Sequence, residues 1–147
     1  MASGLFFPTW RDILDTTQLA IDLDLETHKG AMFTSSVTPS YSADTAYAAS
    51  PWNANEVSGT GYTSGGLVLT TTVVDESPTG TLRWDCDDLL WTTATITNAR
   101  YLLVYADALA GNNALLAVDF GQNYSSSAGN FSVQIASGGL MTIDLTP

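Results

Sequence analysis

The sequence predicts an all-β chain, an antiparallel β-sandwich or barrel of jelly-roll-like kind, with a short N-terminal helix. Three observations carry that expectation. From Leu67 onward, short β-branched or aromatic runs alternate with turns marked by glycine, proline and asparagine, the pattern of an antiparallel framework. Only 13% of the residues are charged, so the water-facing groups must come largely from Thr, Ser, Asn and Gly. The chain is nonetheless 45% hydrophobic, with four Trp, six Tyr and five Phe, enough to fill a core and too much for a disordered chain.

Trp10, Ile13 and Leu14 share one helical face, and Thr9 is placed to cap a helix running from Thr9 to about Thr16, with Asp12 in its first turn. From Gln18 to Leu25 the period falls to two: Leu19, Ile21, Leu23 and Leu25 lie on one side, Asp22 and Asp24 on the other. That pattern reads as a half-exposed strand or a turn entry. His28 to Ser35 gives a second strand. Thr38 to Gly66 is the least regular stretch, and long loops in compact domains usually make contacts. It either reaches across a neighbouring subunit or wraps its own sheet, with Tyr41, Tyr47, Trp52 and Tyr62 capping the core. Further strands are expected at Leu67 to Val74, Thr81 to Trp84, Thr93 to Thr97, Arg100 to Ala106 and, after a Gly111-Asn112-Asn113 turn, Ala114 to Phe120. Gly138-Gly139 is expected to close a hairpin between Phe131 to Ala136 and Leu140 to Leu145. Residues 1–8 read as an N-terminal aromatic arm and 9–147 as one β-rich domain.

At 147 residues a single domain buries roughly 70% of its unfolded surface, so no covalent staple is required. Fifteen acidic residues against four basic ones give a net charge of −11. Such a field repels phosphate backbones, and Arg11, Lys29, Arg83 and Arg100 are too few for a basic patch, so nucleic acid is not an expected partner. Leu5-Phe6-Phe7 is too short for the apolar core of a signal peptide and is followed by Pro8, and no other run approaches a membrane span. No membrane partner is expected, and synthesis and assembly in a cytoplasm follow. Cys86 stands alone between Asp85 and Asp87, which rules out an intrachain disulfide and opposes a thiolate.

No catalytic residue and no cofactor is assigned. His28 is the sole histidine and has no nucleophile or acid tied to it by spacing, so it reads as structural. No nucleophile-elbow motif occurs. The carboxylates Asp22, Asp24 and Glu26, and Asp85, Asp87 and Asp88, have oxygen chemistry suited to calcium but not the spacing of a calcium loop; they read as solvated acids that discourage strand-edge pairing, and no metal is assigned. Gly59, Gly61, Gly65 and Gly66 precede β-branched residues instead of a helix, so they supply positive φ in a turn and not a phosphate cradle. Aromatic residues near element ends are the better candidates for contacts, because Trp and Tyr anchor protein interfaces. The expected interface set is Leu5, Phe6, Phe7, Trp10, Tyr41, Tyr47, Trp52 and Tyr62.

Three segments carry a resemblance. Ile21-Asp22-Leu23-Asp24-Leu25-Glu26-Thr27 leads into a strand; Gly59-Thr60-Gly61-Tyr62-Thr63-Ser64-Gly65-Gly66 makes a glycine turn; Asp87-Asp88-Leu89-Leu90-Trp91 is followed by Ala99-Arg100-Tyr101 and Tyr105. In this order, over nearly the whole chain, they resemble small virion-associated proteins of tailed bacteriophages. The resemblance implies a non-enzymatic capsid decoration or cement protein on the shell exterior, bound to the major capsid protein and to itself, with a homotrimer as the expected oligomer. The alternative is a tail- or fibre-associated protein with carbohydrate-binding ability, using Trp52 and Tyr62 as stacking platforms.

Overall fold

The computed structural model describes residues 3–15 and 18–146. Its elements are β1 (Gly4–Leu5), α1 (Phe7–Leu14), β2 (His28–Thr34), β3 (Leu67–Val68), β4 (Val73–Glu76), β5 (Thr81–Asp85), β6 (Leu89–Ala106), β7 (Ala114–Val133) and β8 (Met141–Asp144). Two antiparallel sheets form, ordered β1-β7-β6-β2-β3 and β4-β5-β8. The mostly β, antiparallel architecture with one short helix is the expected class. The two sheets pack as a sandwich, and neither closes on itself among the described residues.

Alternation along the central strands divides the core. Met32, Leu102 and Val104 point to one face of the larger sheet and pack with Trp84 and Met141 of the smaller one. Ala31, Phe33, Tyr101, Leu103 and Tyr105 point to the opposite face, where Phe6, Val37 and Trp52 cover them. Both faces of β2 and of the second half of β6 are thus buried, and the apolar run Arg100 to Ala106 is explained. The second covering layer contains no strand. It is built from the irregular stretch after β2, pinned by isolated bridges from Phe33 to Glu56 and from Ala46 to Asn113.

Four expectations are corrected and one alternative is decided. Of the two readings of residues 18–25 the turn entry holds: the Asp22 carboxylate accepts the N–H groups of Asp24 (3.2 Å) and Leu25 (3.1 Å), a side-chain turn that outcompetes extension and leaves Leu25 84% exposed. The expected strand Leu67 to Val74 is broken at 69–72, where Thr71 takes φ +53° and the Thr70 and Thr71 hydroxyls bond Asp87. The strands expected at Thr93 to Thr97 and Arg100 to Ala106 are one strand, bulged where Thr93 (φ +49°) and Asn98 (φ +57°) turn left-handed. Likewise Ala114 to Phe120 and Phe131 belong to the single strand β7, and β8 pairs with β5 instead of closing a hairpin on it. Gly139 adopts φ +74° against Trp84, whose carbonyl accepts the Leu140 N–H at 2.8 Å, and this steers the chain onto the smaller sheet.

The helix begins two residues earlier than expected. Pro8 occupies its first turn, where a missing N–H costs nothing, and Thr9 lies inside the helix instead of capping it. The expected end at Thr16 lies outside the described residues; Asp15 already serves as the C-cap, its N–H on the Arg11 carbonyl at 2.9 Å.

Candidate functional site

The expected interface residues do not form one surface. Leu5 pairs with Leu116 at the start of the sheet and is 39% exposed, and Phe7 is 56% exposed with the Arg11 guanidinium 5.4 Å from its ring centroid. Phe6 between them is fully buried, edge-on to Trp52 at 5.7 Å, so its side chain serves the chain's own core. Gly4 and Leu5 therefore form a strand, and Phe6 is a core plug. Trp10 is half-buried and donates its indole N–H to the Leu115 carbonyl at 2.9 Å.

Trp52 is also removed from any surface role. Its ring is 1% exposed and meets Phe6, Phe33 and Tyr101 edge-on, while its Nε1 donates to the buried Asp44 carboxylate at 3.0 Å. Asp44 in turn accepts the Ser40 N–H at 2.9 Å. The expectation of an open stacking platform at Trp52 is overturned, because a ring enclosed on its edges and faces has none to offer a sugar.

Tyr41, Tyr47 and Tyr62 are half-buried and wrap this chain's own sheet. Glu56 gathers the last two. Its carboxylate accepts the Tyr47 hydroxyl at 2.7 Å, the Tyr62 hydroxyl at 2.7 Å, the Ser64 hydroxyl at 3.1 Å and the Gly65 N–H at 2.7 Å. Tyr62 also accepts the Met32 N–H at 3.0 Å and stacks on Trp91 at 5.9 Å; Tyr105 stacks on Tyr47 at 4.5 Å and donates to the Gly65 carbonyl at 2.9 Å. Burial first, and the Glu56 carboxylate second, push the Tyr47 phenol up to about 12 and the Tyr62 phenol higher still. A carboxylate holding four donors has no free lone pair aimed at solvent for base chemistry, so this cluster is a fastener.

The glycine turn beside it behaves as the sequence suggests. Gly59, Gly61, Gly65 and Gly66 all take positive φ, and a Cβ at Gly66 would run into the Gly30 carbonyl. Thr60 accepts the Thr95 N–H at 2.8 Å, sealing the free side of β6.

His28 is fully buried, with Nε2 2.9 Å from the Asp22 carbonyl oxygen and its ring edge-on to Trp84 at 5.5 Å. Cys86 is buried, and burial first, then Asp85, Asp87 and Asp88, push its thiol up to about 12. Each acid cluster is consumed locally. Asp85 faces Arg83 at 3.3 Å, Asp87 takes the Thr70 and Thr71 hydroxyls, and Asp88 accepts the Ile135 N–H at 2.7 Å. Among the described residues no group of three or more His, Cys, Asp or Glu side chains is arranged to hold a metal, and no helix is long and apolar enough to cross a membrane.

Comparison with protein-family models, with curated proteins and with solved structures finds no match to this chain.

Proposed function

We propose that this chain is a non-enzymatic structural protein of a tailed-phage virion, a decoration or cement protein that binds the major capsid protein on the shell exterior as a symmetric oligomer, with a homotrimer as the working assignment. A jelly-roll-like wrapping of the sandwich belongs to the same reading. The observation that carries it is how the segments of the phage-like pattern are used. The glycine turn 59–66 is tied to β6 through Thr60, Tyr62 and Trp91, and the Asp87-Asp88 turn fastens Thr70, Thr71 and Ile135. These residues fasten loops to strands by stacking and hydrogen bonds, as a scaffold that must persist on a particle requires. Exposed Leu5 and Phe7 remain candidates for the shell contact.

Its action would be thermodynamic. A protein that binds the mature shell and not its broken form stabilises that shell by mass action. The decisive measurement is the copy number of the chain relative to the major shell protein in purified virions, by mass spectrometry with labelled peptides. A ratio near one, or a simple lattice fraction, is the expected result; a handful per particle would move the protein to the tail, and absence would discard the virion reading.

A further inference from the structure

The second half of β7 differs from the rest of the surface in three ways. First, its outer side is unpaired: β1 covers only Leu116 and Ala117, the Gly121 N–H turns back to the Asp119 carboxylate at 2.8 Å, and among the described residues no backbone group from Gln122 to Val133 bonds anything but β6. Second, the sequence between Asp119 and Asp144 contains no charged residue, in a chain of net charge −11. Third, the strand folds over a groove. Two steps along β6, from Ala99 to Tyr101, span five along β7, from Tyr124 to Asp119, with Gly121 at φ +79°. In a straight strand Phe120 and Phe131 would stand roughly 35 Å apart. Here both line one groove of about 410 Å³ with Val118, Tyr124 and Val133.

Edge strands are normally protected by charge, proline or irregularity. On β7 irregularity protects residues 119–128, where the large bulge is followed by Ala128 at φ +49°. Gly129–Val133 has no such protection. Those five residues continue without a bulge of their own to the end of the strand, with Gly129, Phe131 and Val133 half-buried and Asn130 and Ser132 exposed.

We propose that this segment is a self-association site, pairing antiparallel with the same segment of a second copy about a two-fold axis at Phe131. Charge selects the occupant. Copies carrying −11 each repel where acids meet, and this is an edge on which no carboxylate would oppose another. The segment is also complementary to itself. With Phe131 opposite Phe131, each Val133 faces a Gly129 and each Asn130 a Ser132, so large residues meet small ones on the groove side and neutral polar pairs meet outside. The two aromatic rings would close the mouth of each groove. A two-fold contact here is separate from any three-fold contact on a shell; in a trimer it would link trimers in pairs.

The test is sedimentation of the full chain over a roughly hundredfold concentration range. The expected result is a reversible doubling of mass. S132E, at an exposed position, should weaken it about tenfold by placing two carboxylates diagonally across the axis. Adding N130K to S132E should restore it, since each lysine then faces the other copy's glutamate. Amide exchange of Asn130 to Val133 in the unmodified chain, slower at high concentration, checks the same contact should a variant fail to fold. A chain that stays single throughout the range, association indifferent to S132E, or no rescue by N130K would overturn the site. A trimer insensitive to all these changes would remove the β7 contact and leave the decoration reading standing; a β7-dependent pair on a chain absent from virions would do the reverse.

Discussion

The two faces of the five-stranded sheet are covered by different means. On one, a second sheet supplies Trp84 and Met141, held by strand pairing. On the other, a segment with no strand supplies Val37 and Trp52, held by isolated bridges and by side chains instead of continuous ladders. A sheet satisfies its backbone by ladders, whereas coil must find partners one at a time. Here two acids do that work: Asp44 ties Ser40 to Trp52, and Glu56 ties Tyr47, Tyr62, Ser64 and Gly65. Coil can replace a layer of a sandwich when a few carboxylates collect its donors.

The comparison is broken most directly by removing one large ring from each layer. Trp52→Ala and Trp84→Ala each vacate a buried site and should each cost about 3–5 kcal/mol in urea unfolding. Equal losses mean that the coil is as much a structural layer as the sheet. A Trp52→Ala loss below ~1 kcal/mol would show instead that the coil relaxes around the cavity and only drapes the core.

Glu56→Gln sharpens the same point. The amide keeps one acceptor oxygen but turns an NH₂ group toward donors that need an acceptor, and should cost about 2–3 kcal/mol. The loss should concentrate in the coil layer: amide exchange should quicken at Val57 and Gly66, whose N–H groups bond Met32 and Thr63, while Leu82 to Trp84 stay protected. Uniform quickening would mean that the two layers unfold as one unit.

These features divide what was legible in the sequence from what was not. Strand-forming runs and glycine turns were readable because they are local: β2, β5 and the positive φ of Gly59 to Gly66 follow from residue type. The Leu19 to Leu25 alternation left strand and turn entry open; the turn forms because Asp22 bonds its own neighbours, and a two-residue period carries no sign of that competition. Bulges at Thr93 and Asn98 hid the length of β6, since non-glycine residues at positive φ leave no compositional mark. Of the site, the aromatic set was found but its role was not. Whether Phe6 and Trp52 face out or in depends on strand pairing and on a coil whose path is set by Asp44 and Glu56, contacts distant in sequence. The β7 edge was marked by its lack of charge, which is visible only as an absence.

The smallest effect compares the layers by pH. Unfolded tyrosines release their protons near pH ~10. Burial, with Glu56 contributing at Tyr47 and Asp119 at Tyr41, holds these two phenols up to about 12 in the fold. A group whose folded pKa is raised contributes stability that is complete below its unfolded value and lost as pH climbs toward the folded one, because the unfolded chain there binds fewer protons. Stability should therefore fall between pH ~10 and ~12, and Tyr47→Phe, which keeps the ring stacked on Tyr105, should make that fall shallower while costing only about 1 kcal/mol at neutral pH. The smaller sheet has no tyrosine among β4, β5 and β8, but Cys86 just after β5 is also held up to about 12 by burial, so the coil layer's share of the alkaline slope is the part that Tyr47→Phe removes. If Tyr47→Phe leaves the slope untouched while near-ultraviolet absorbance shows every tyrosine ionising near pH ~10, the coil is open to solvent on the titration timescale and its carboxylate fasteners do not seal it.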